Sequence, residues 1–573
     1  MKMGAWFERK KGFTWKTAYL LLALLALCLA ARAFCGIDAT DETFYFALAR
    51  RFAQGDAILA DEWFPAQLIG ILLLPFYRFY VGLFGGQEGL ILCTRLCYAA
   101  FAVLTAAFMM HVFRKRGEPA SFGCPAAMLF AVYARAGIAN FSYYNLGLLS
   151  FLLALLLLLD GKSARRLWTR QIPAGICLSV SVLCMPYMAV VFVCMAAVYL
   201  FRRRSLTPGK DGLCFLLGIF CSAGVFLLFY GREIADGIGN LPYLFMDPLH
   251  QGGVLEKMAG TAAYVLFTYL KFTWPLYLFT FAAAAAIRFR RIQNRKVLRA
   301  ARSLFYLEFF LQAIYSRTFF EGGIVCAFLL LALQIQLVNR GIRDRELEWY
   351  FLLPGLLFGL VWSYGSDLGM RVFNMGFCLA DVWALKILAL DVRTEAERFR
   401  YAMRLSAAVL FAVLLANRML DVYRESPVWE LDTRVACGTM KGLFTSAERA
   451  REYEAVVQDL RRYTEETDRL VVGGLNPWVY LEAPARCGAF TVWTVDFEDE
   501  RNWKYYEQYP ENRPTVIYLL DTQRTVYEGW SWGSHGSSTQ GEGRSQAEGY
   551  LKEYLEEHPH ETVRTETGIF YCF

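Results

Sequence analysis

Apolar segments of about 17–25 residues, each long enough to cross a roughly 30 Å hydrocarbon layer, recur along this chain up to Asn417. After Arg418 they stop, and the last roughly 150 residues have the composition of a soluble domain. With 56% hydrophobic residues distributed in this way, the chain reads as a polytopic α-helical membrane protein. Lipid leaves helices as the economical way to satisfy a spanning backbone. The first segment, Thr17–Gly36, follows Lys2, Arg9, Lys10, Lys11 and Lys16, as a signal-peptide core would. It lacks a small-residue cleavage pattern and runs directly into carboxylates, so it reads as a retained first helix.

The net charge of +7 gathers in short loops between apolar segments, where it signals orientation rather than nucleic-acid binding. The basic loops are the N-terminus, 114–116, 162–170, 202–210, 288–302, 340–345 and 393–404. They hold about thirty Lys and Arg against about eight in the loops on the opposite side, and such loops face the cytoplasm. Between the N-terminus and Arg114 the number of crossings must then be even. Of the apolar segments in that interval, 64–84 is interrupted by Pro65, Pro75 and Arg78, and it reads as an interfacial element that does not cross. The first external loop becomes 37–88, and a loop of that length tends to be functional.

Continuing the alternation gives about thirteen helices of roughly 20 residues, near 17–36, 89–112, 120–139, 144–160, 171–186, 187–201, 212–230, 259–287, 303–316, 321–338, 347–364, 372–390 and 401–418. Span 259–287 is too long for one straight crossing. An interfacial first half would lift Lys271 towards the outer surface. The transmembrane domain is thus 1–418, in the plasma membrane with its N-terminus cytoplasmic, and 419–573 is an extracytoplasmic domain. In that tail Ser446 is placed to cap a helix over Ala447–Glu466. Leu470–Val472, Ala489–Val495 and Thr515–Leu520 read as short strands, Ala547–His558 as a helix, and Thr562–Tyr571 as a terminal strand or hairpin. Alternating elements make this a small α/β domain, with Gly529–Ser545 as a loop. It has no phosphate-binding loop. Most cysteines lie in apolar segments, where Cys acts as a small hydrophobe. An external tail leaves a Cys437–Cys487 disulfide open.

The stretch that carries chemistry is Asp38-Ala39-Thr40-Asp41-Glu42-Thr43-Phe44-Tyr45, at the mouth of the first helix. Carboxylates are costly at the edge of hydrocarbon, so this cluster is either a solvated loop or acid/base machinery. A helix-like stretch, Thr43–Phe52, follows, then Gly55-Asp56, Trp63-Phe64-Pro65, the interrupted segment, Phe84-Gly85 and an Arg95-containing helix. This order resembles the first external loop of GT-C superfamily glycosyltransferases, most of all the branch of aminoarabinose transferases of lipid A, RgtA/B/C/D-like and protein O-mannosyltransferase-like enzymes. The resemblance covers the first 120 residues or so. It implies inverting transfer of a hexosyl or pentosyl unit from a polyprenyl-phosphate donor to a cell-envelope acceptor (glycan, lipid or protein) at the outer face. It also implies that Asp41, with Glu42 beside it, activates the acceptor.

The chemistry agrees. A hydroxyl or amine attacking an anomeric carbon loses a proton that a nearby carboxylate can take, and a leaving phosphate is met by Arg or Lys. Arg317 and Arg371, at helix ends on the outer side, are the first candidates for the donor phosphate, with Lys271 after them. The competing reading is that Arg317 and Arg371 snorkel to the interface. Asp38 and Arg135 are supporting candidates. Asp38, Asp41 and Glu42 offer oxygens for a divalent cation, Mg2+ or Mn2+, although no ligand set is fixed by the spacing. Two other classes stay open. A transporter or flippase of lipid-linked glycans would carry charges deep inside several helices, whereas these helices read as mostly free of them. A non-catalytic scaffold would use its external domain to bind a partner.

Overall fold

The computed structural model describes residues 13–161, 168–203, 209–244, 246, 254–316, 323–339, 341–365, 373–393, 397–420, 422–493, 497–520 and 549–573. The apolar region forms α1 (Trp15–Arg32), α2 (Asp41–Ala53), α3 (Leu68–Phe84), α4 (Leu90–Lys115), α5 (Ala120–Val132), α6 (Tyr143–Gly161), α7 (Trp168–Cys184), α8 (Met188–Arg203) and α9 (Lys210–Gly237). It continues with α10 (Leu241–Leu244), α11 (Val254–Tyr264), α12 (Trp274–Phe289), α13 (Arg295–Ser316), α14 (Gly323–Val338), α15 (Arg345–Leu347), α16 (Leu353–Gly365), α17 (Phe373–Arg393) and α18 (Glu397–Leu420). Among the described residues, five helical stretches are long and apolar enough to cross a membrane: Trp15–Arg32, Leu90–Lys115, Tyr143–Asp160, Lys210–Leu244 and Lys271–Phe289. Their outer faces are bare hydrocarbon. Leu217, Phe220, Leu228 and Phe229 of α9 and Phe279 of α12 are all exposed, apolar surface that lipid covers at no cost and water does not.

The basic loops do more than signal orientation, because buried acids pin the helix ends there. Asp160 at the end of α6 accepts from Lys115 (2.6 Å) and pairs with Arg170 (2.9 Å). Asp391 of α17 pairs with Arg302 of α13 (2.6 Å), and Arg116 pairs with Glu346. The basic segment from Arg295 onward, expected to be loop up to Arg302, is already helical. The long span at 259–287 is broken. α11 passes through a wide turn at Val265–Tyr269, and Lys271 takes a left-handed backbone (φ 45°) before α12 starts at Trp274. The helices are also less free of charge than the sequence suggests. Glu308 of α13 and Asp381 of α17 are fully buried in the bundle. Glu308 accepts from Thr280 and Gln334 (both 2.9 Å) on the facing helices, polar partners that a hydropathy count cannot see.

The tail opens with paired β1 (Thr433–Arg434) and β2 (Phe444–Thr445), and Ser446 caps α19 (Ala447–Tyr463) by accepting from the Arg449 N–H. β3 (Arg469–Val472), α20 (Pro477–Glu482), β4 (Arg486–Cys487), α21 (Arg501–Gln508), β5 (Val516–Leu520), α22 (Gly549–Glu557), β6 (Glu561–Arg564) and β7 (Gly568–Cys572) follow. The five-stranded sheet has the order β4-β3-β5-β7-β6, with β3 parallel to both its neighbours and β7 antiparallel to β5 and β6. The strand expected at Ala489–Val495 is not formed over its described part. Its backbone serves the first loop instead, with Phe490 O accepting from Trp63 N (2.8 Å); Val495 and the Gly529–Ser545 loop lie outside the described residues. Cys437 and Cys487 are both free thiols. Cys487, buried on β4, faces Ala489 O (3.6 Å).

The segment 37–88 and the tail share one hydrophobic core. Ile69, Leu73 and Tyr77 of α3 pack with Val471, Trp478 and Leu481 of the tail. Arg50 of α2 donates to the carbonyls of Tyr480 (2.8 Å), Pro484 (2.9 Å) and Ala485 (3.2 Å). Arg51 pairs with Asp56 (2.8 Å) and Glu62 (2.9 Å), and Glu62 also accepts from Val492 N (3.2 Å). Both arginines lie in the last turn of α2, so these contacts anchor the end of the helix opposite its first turn.

Candidate active site

That first turn carries the carboxylate cluster, and its members have separate fates. Asp38 closes the turn from outside. Its Oδ1 accepts from the Thr40 N–H (3.0 Å) and hydroxyl (2.8 Å), and its Oδ2 from the Glu42 N–H (2.9 Å), satisfying donors that a helix start leaves orphaned. Burial, and then the charge of Asp41, push its carboxyl up to about 6, while Arg424 opposes the shift. Glu42 is locked. Arg95 of α4 grips it through Nε (2.7 Å) and Nη2 (2.5 Å), and Asn140 donates to the same Oε1 (2.7 Å). Arg95 Nη1 also reaches the carbonyls of Ala33, Cys35 and Gly36 (2.9–3.2 Å), so this pair ties the end of α1 to the start of α2.

Asp41 is different. Its side chain is 19% exposed, against 4% for Asp38 and 2% for Glu42. It meets two groups from the segment after α18. Tyr423 donates its hydroxyl to Oδ2 (2.6 Å), and Arg424 pairs with the same oxygen (3.0 Å) while also reaching the Thr40 hydroxyl. Burial and the charge of Asp41 hold the Tyr423 phenol well above its usual range, so it stays a donor. Neither residue was singled out from the sequence. The only signal was their closeness to the last apolar segment, whose end returns to the same surface.

Arg135 joins this site from the other side. The chain between α5 and α6 breaks into a single tight turn, Arg135–Gly137. Asn145 staples the break, accepting from Arg135 N (3.0 Å) and donating to Ile138 O (2.7 Å) and Asn140 O (3.0 Å). Gly137 has φ +82°, and a Cβ there would lie 3.6 Å from Tyr423 Cβ and 3.7 Å from Arg418 Nη1. The turn therefore presses directly on the Asp41-binding segment. The Arg135 guanidinium is buried and sits 5.5 Å over the Tyr144 ring, in electrostatic reach of Tyr423. Among the described residues its Nε has no hydrogen-bond partner.

An aromatic wall extends from Asp41 into the bundle. Tyr45, one turn after Asp41, meets Tyr143 edge-on (5.6 Å). Tyr143 packs on Tyr144 (4.0 Å), and both stack towards Trp362 of α16 (6.3 and 5.9 Å). With the Glu42–Arg95 pair set aside, the guanidiniums of Arg135 and Arg424 lie on the side of the carboxylates of Asp38 and Asp41 that carries Tyr423. Fixed positive charge beside one accessible carboxylate suits an anionic ligand whose neighbour must give up a proton.

The other expected residues lie elsewhere. Lys271 sits at the break before α12, its Nζ 5.4 Å over the Tyr315 ring of α13, and makes no described contact with Asp41. Arg317 and Arg371 lie outside the described residues. The three carboxylates do not form a cation cage. Each has an oxygen taken by N–H, hydroxyl or guanidinium donors, whereas a hard divalent cation needs several open oxygens converging on it. Among the described residues, no group of three or more His, Cys, Asp or Glu side chains has a metal-binding arrangement.

No family model and no curated protein matches this sequence. Among solved structures it is similar to the archaeal oligosaccharyltransferase AglB from Archaeoglobus fulgidus in complex with an inhibitory peptide and a dolichol-phosphate, at 11% identity and a TM-score of 0.47 over 87% of this chain and 69% of that one. It is also similar to the Archaeoglobus fulgidus oligosaccharyltransferase complex with Zn and sulfate, at 13% identity and a TM-score of 0.46 over 87% and 67% of the two chains. A likeness at this level gives no residue-by-residue correspondence.

Proposed function

We propose that this chain is a membrane glycosyltransferase that moves a sugar from a polyprenyl-phosphate donor to a hydroxyl or amine of a cell-envelope acceptor at the outer face. One observation carries the reading. Asp41, the accessible carboxylate of its cluster, accepts from Tyr423, and the turn that carries Arg135, a buried guanidinium without a carboxylate partner among the described residues, lies against Tyr423 through Gly137. Asp41 takes the acceptor proton as the new bond to the anomeric carbon forms. The bond from that carbon to the donor phosphate breaks, and its electron pair goes to a phosphate oxygen. Arg135 meets that charge, and Arg317, Arg371 and Lys271 remain further candidates for the donor headgroup. The rings from Tyr45 to Trp362 form the packed wall behind Asp41. In this reading the site and the tail face outward, at the end opposite the basic loops and their buried acid partners.

The test is transfer from a panel of labelled polyprenyl-phosphate sugars in membranes carrying the protein, with Asp41→Asn and Arg135→Gln as the variants. Both lose transfer by about 100-fold or more if general-base help and charge stabilisation come from these groups. Undiminished transfer by folded Asp41→Asn would remove it from the mechanism. A second reading is favoured by Glu308 and Asp381, because ionisable groups inside a bundle often mark a path. A flippase of lipid-linked glycans would move its substrate across proteoliposomes, depend on Glu308, and ignore Asp41→Asn.

A further inference from the structure

We propose that Arg424 is the resident cation of this site, holding Asp41 by a fixed positive charge in place of a bound divalent metal. The inference rests on the reading of Asp41 as the acceptor-side carboxylate. Arg424 has a left-handed backbone (φ +53°), a conformation that a long side chain adopts only when its surroundings impose it. The surroundings here do so from both sides. Arg449 donates to Arg424 O (2.9 Å) and pairs with the next residue, Glu425 (2.5 Å). Glu425 in turn accepts from Ile37 N (3.0 Å) and the Thr445 hydroxyl (2.7 Å). The strained turn is thus bolted to the end of α1 and to β2, and it delivers the guanidinium to Asp41 Oδ2 and Thr40, over the Tyr423 ring (4.9 Å).

The oxygens of the cluster are arranged for that cation and not for a metal. Asp38 spends both oxygens on hydroxyl and N–H donors, Glu42 spends both on Arg95 and Asn140, and Asp41 Oδ2 is shared by Tyr423 and Arg424. Asp41 Oδ1 is the oxygen left without a hydrogen-bond donor among the described residues, and it is the one free to take a proton. A metal would compete for that oxygen, whereas a guanidinium on Oδ2 leaves it available. Arg424 is therefore a positioning residue. It fixes which oxygen of Asp41 faces the acceptor and supplies the positive charge without a bound ion.

The experiment uses the full chain in detergent and reads Mn2+ binding by electron paramagnetic resonance alongside transfer in the presence of EDTA. Wild-type protein binds no stoichiometric Mn2+ at this site and keeps its transfer rate in EDTA. Arg424→Ala gains about one weakly held Mn2+ per chain, on the Asp41 carboxylate and the Thr40 hydroxyl that Arg424 no longer occupies, and the double variant Arg424→Ala/Asp41→Asn loses it. Arg424→Lys, which keeps the charge, retains transfer in EDTA within about tenfold, and Arg424→Gln does not. The proposal is overturned if wild-type protein binds Mn2+ stoichiometrically and Asp41→Asn abolishes that binding. It is equally overturned if wild type and Arg424→Ala match in both Mn2+ binding and transfer. Mn2+ exclusion by the wild type with gain in Arg424→Ala, in a protein that transfers no sugar, supports the cation assignment and sinks the glycosyltransferase reading separately.

Discussion

Tyr423 donates its hydroxyl to Asp41 Oδ2 at 2.6 Å across 382 residues of chain. The bond joins the turn that follows the last helix of the bundle to the first turn of α2. A hydrogen bond to a charged group contributes about 1.5–3 kcal/mol, so Tyr423→Phe should lower transfer by roughly 10- to 100-fold. The phenyl ring still fills its place beneath the Arg424 guanidinium, so the melting temperature should hardly move. Equal losses of stability and transfer would show that Tyr423 is only a packing residue.

Glu42 and Arg95 should behave in the opposite way. Removing one partner of a buried pair leaves an uncompensated charge and costs about 3–5 kcal/mol. Glu42→Gln should therefore lower the melting temperature sharply, and Glu42→Gln/Arg95→Met should recover part of the loss. Asp41→Asn, at a partly exposed position, should leave stability nearly intact while abolishing transfer. Thermal unfolding of these variants side by side decides the matter, and an Asp41→Asn protein as unstable as Glu42→Gln would contradict the division of roles.

Asp38 gives the site a pH signature. Its folded carboxyl sits at about 6, above the roughly 3.9 of an unfolded Asp. Between these values the folded protein keeps a proton that the unfolded chain has released, so stability falls as pH rises from about 4 to about 6 and levels off above. The difference is on the order of 2–3 kcal/mol at neutral pH. Unfolding temperatures measured across that window should show this slope in wild type and lose it in Asp38→Asn. A difference between the two proteins that is flat from pH 4 to 7 would refute the shift.

What the sequence made legible was local. Asp41 at a helix start, Ser446 as a cap and the β6–β7 hairpin follow from short-range rules about orphaned donors and alternation. The membrane character follows from segment length. Tyr423, Arg424 and the role of Arg135 were not legible, because each acquires its meaning from a contact with a distant part of the chain. Nothing near Arg135 in sequence says that its guanidinium will be buried beside Tyr144 rather than snorkel. The same reason explains Ala489–Val495. Its residues suit a strand, but the first loop claims its backbone first, and only the shared core of α3 and the tail reveals that competition.

Gly36 is the residue on which the site's geometry turns most sharply. It has φ +81°, and a Cβ there would lie 2.2 Å from Val422 Cγ1 and 3.2 Å from Glu425 Cγ. Its N–H donates to Phe444 O (2.7 Å), and its carbonyl accepts from Arg95, so its backbone cannot retreat without breaking both contacts. Gly36→Ala would add about 1–2 kcal/mol for the left-handed backbone and about 1–3 kcal/mol for overpacking. The cheapest relief is to push residues 422–425 outward, which moves Tyr423 and Arg424 off Asp41. Transfer should therefore fall by more than the stability loss explains. Gly36→Ala/Val422→Ala, which removes the clashing methyl, should restore a large part of the transfer while keeping the backbone penalty. If the double variant transfers no better than Gly36→Ala alone, the 422–425 turn is not what positions Asp41.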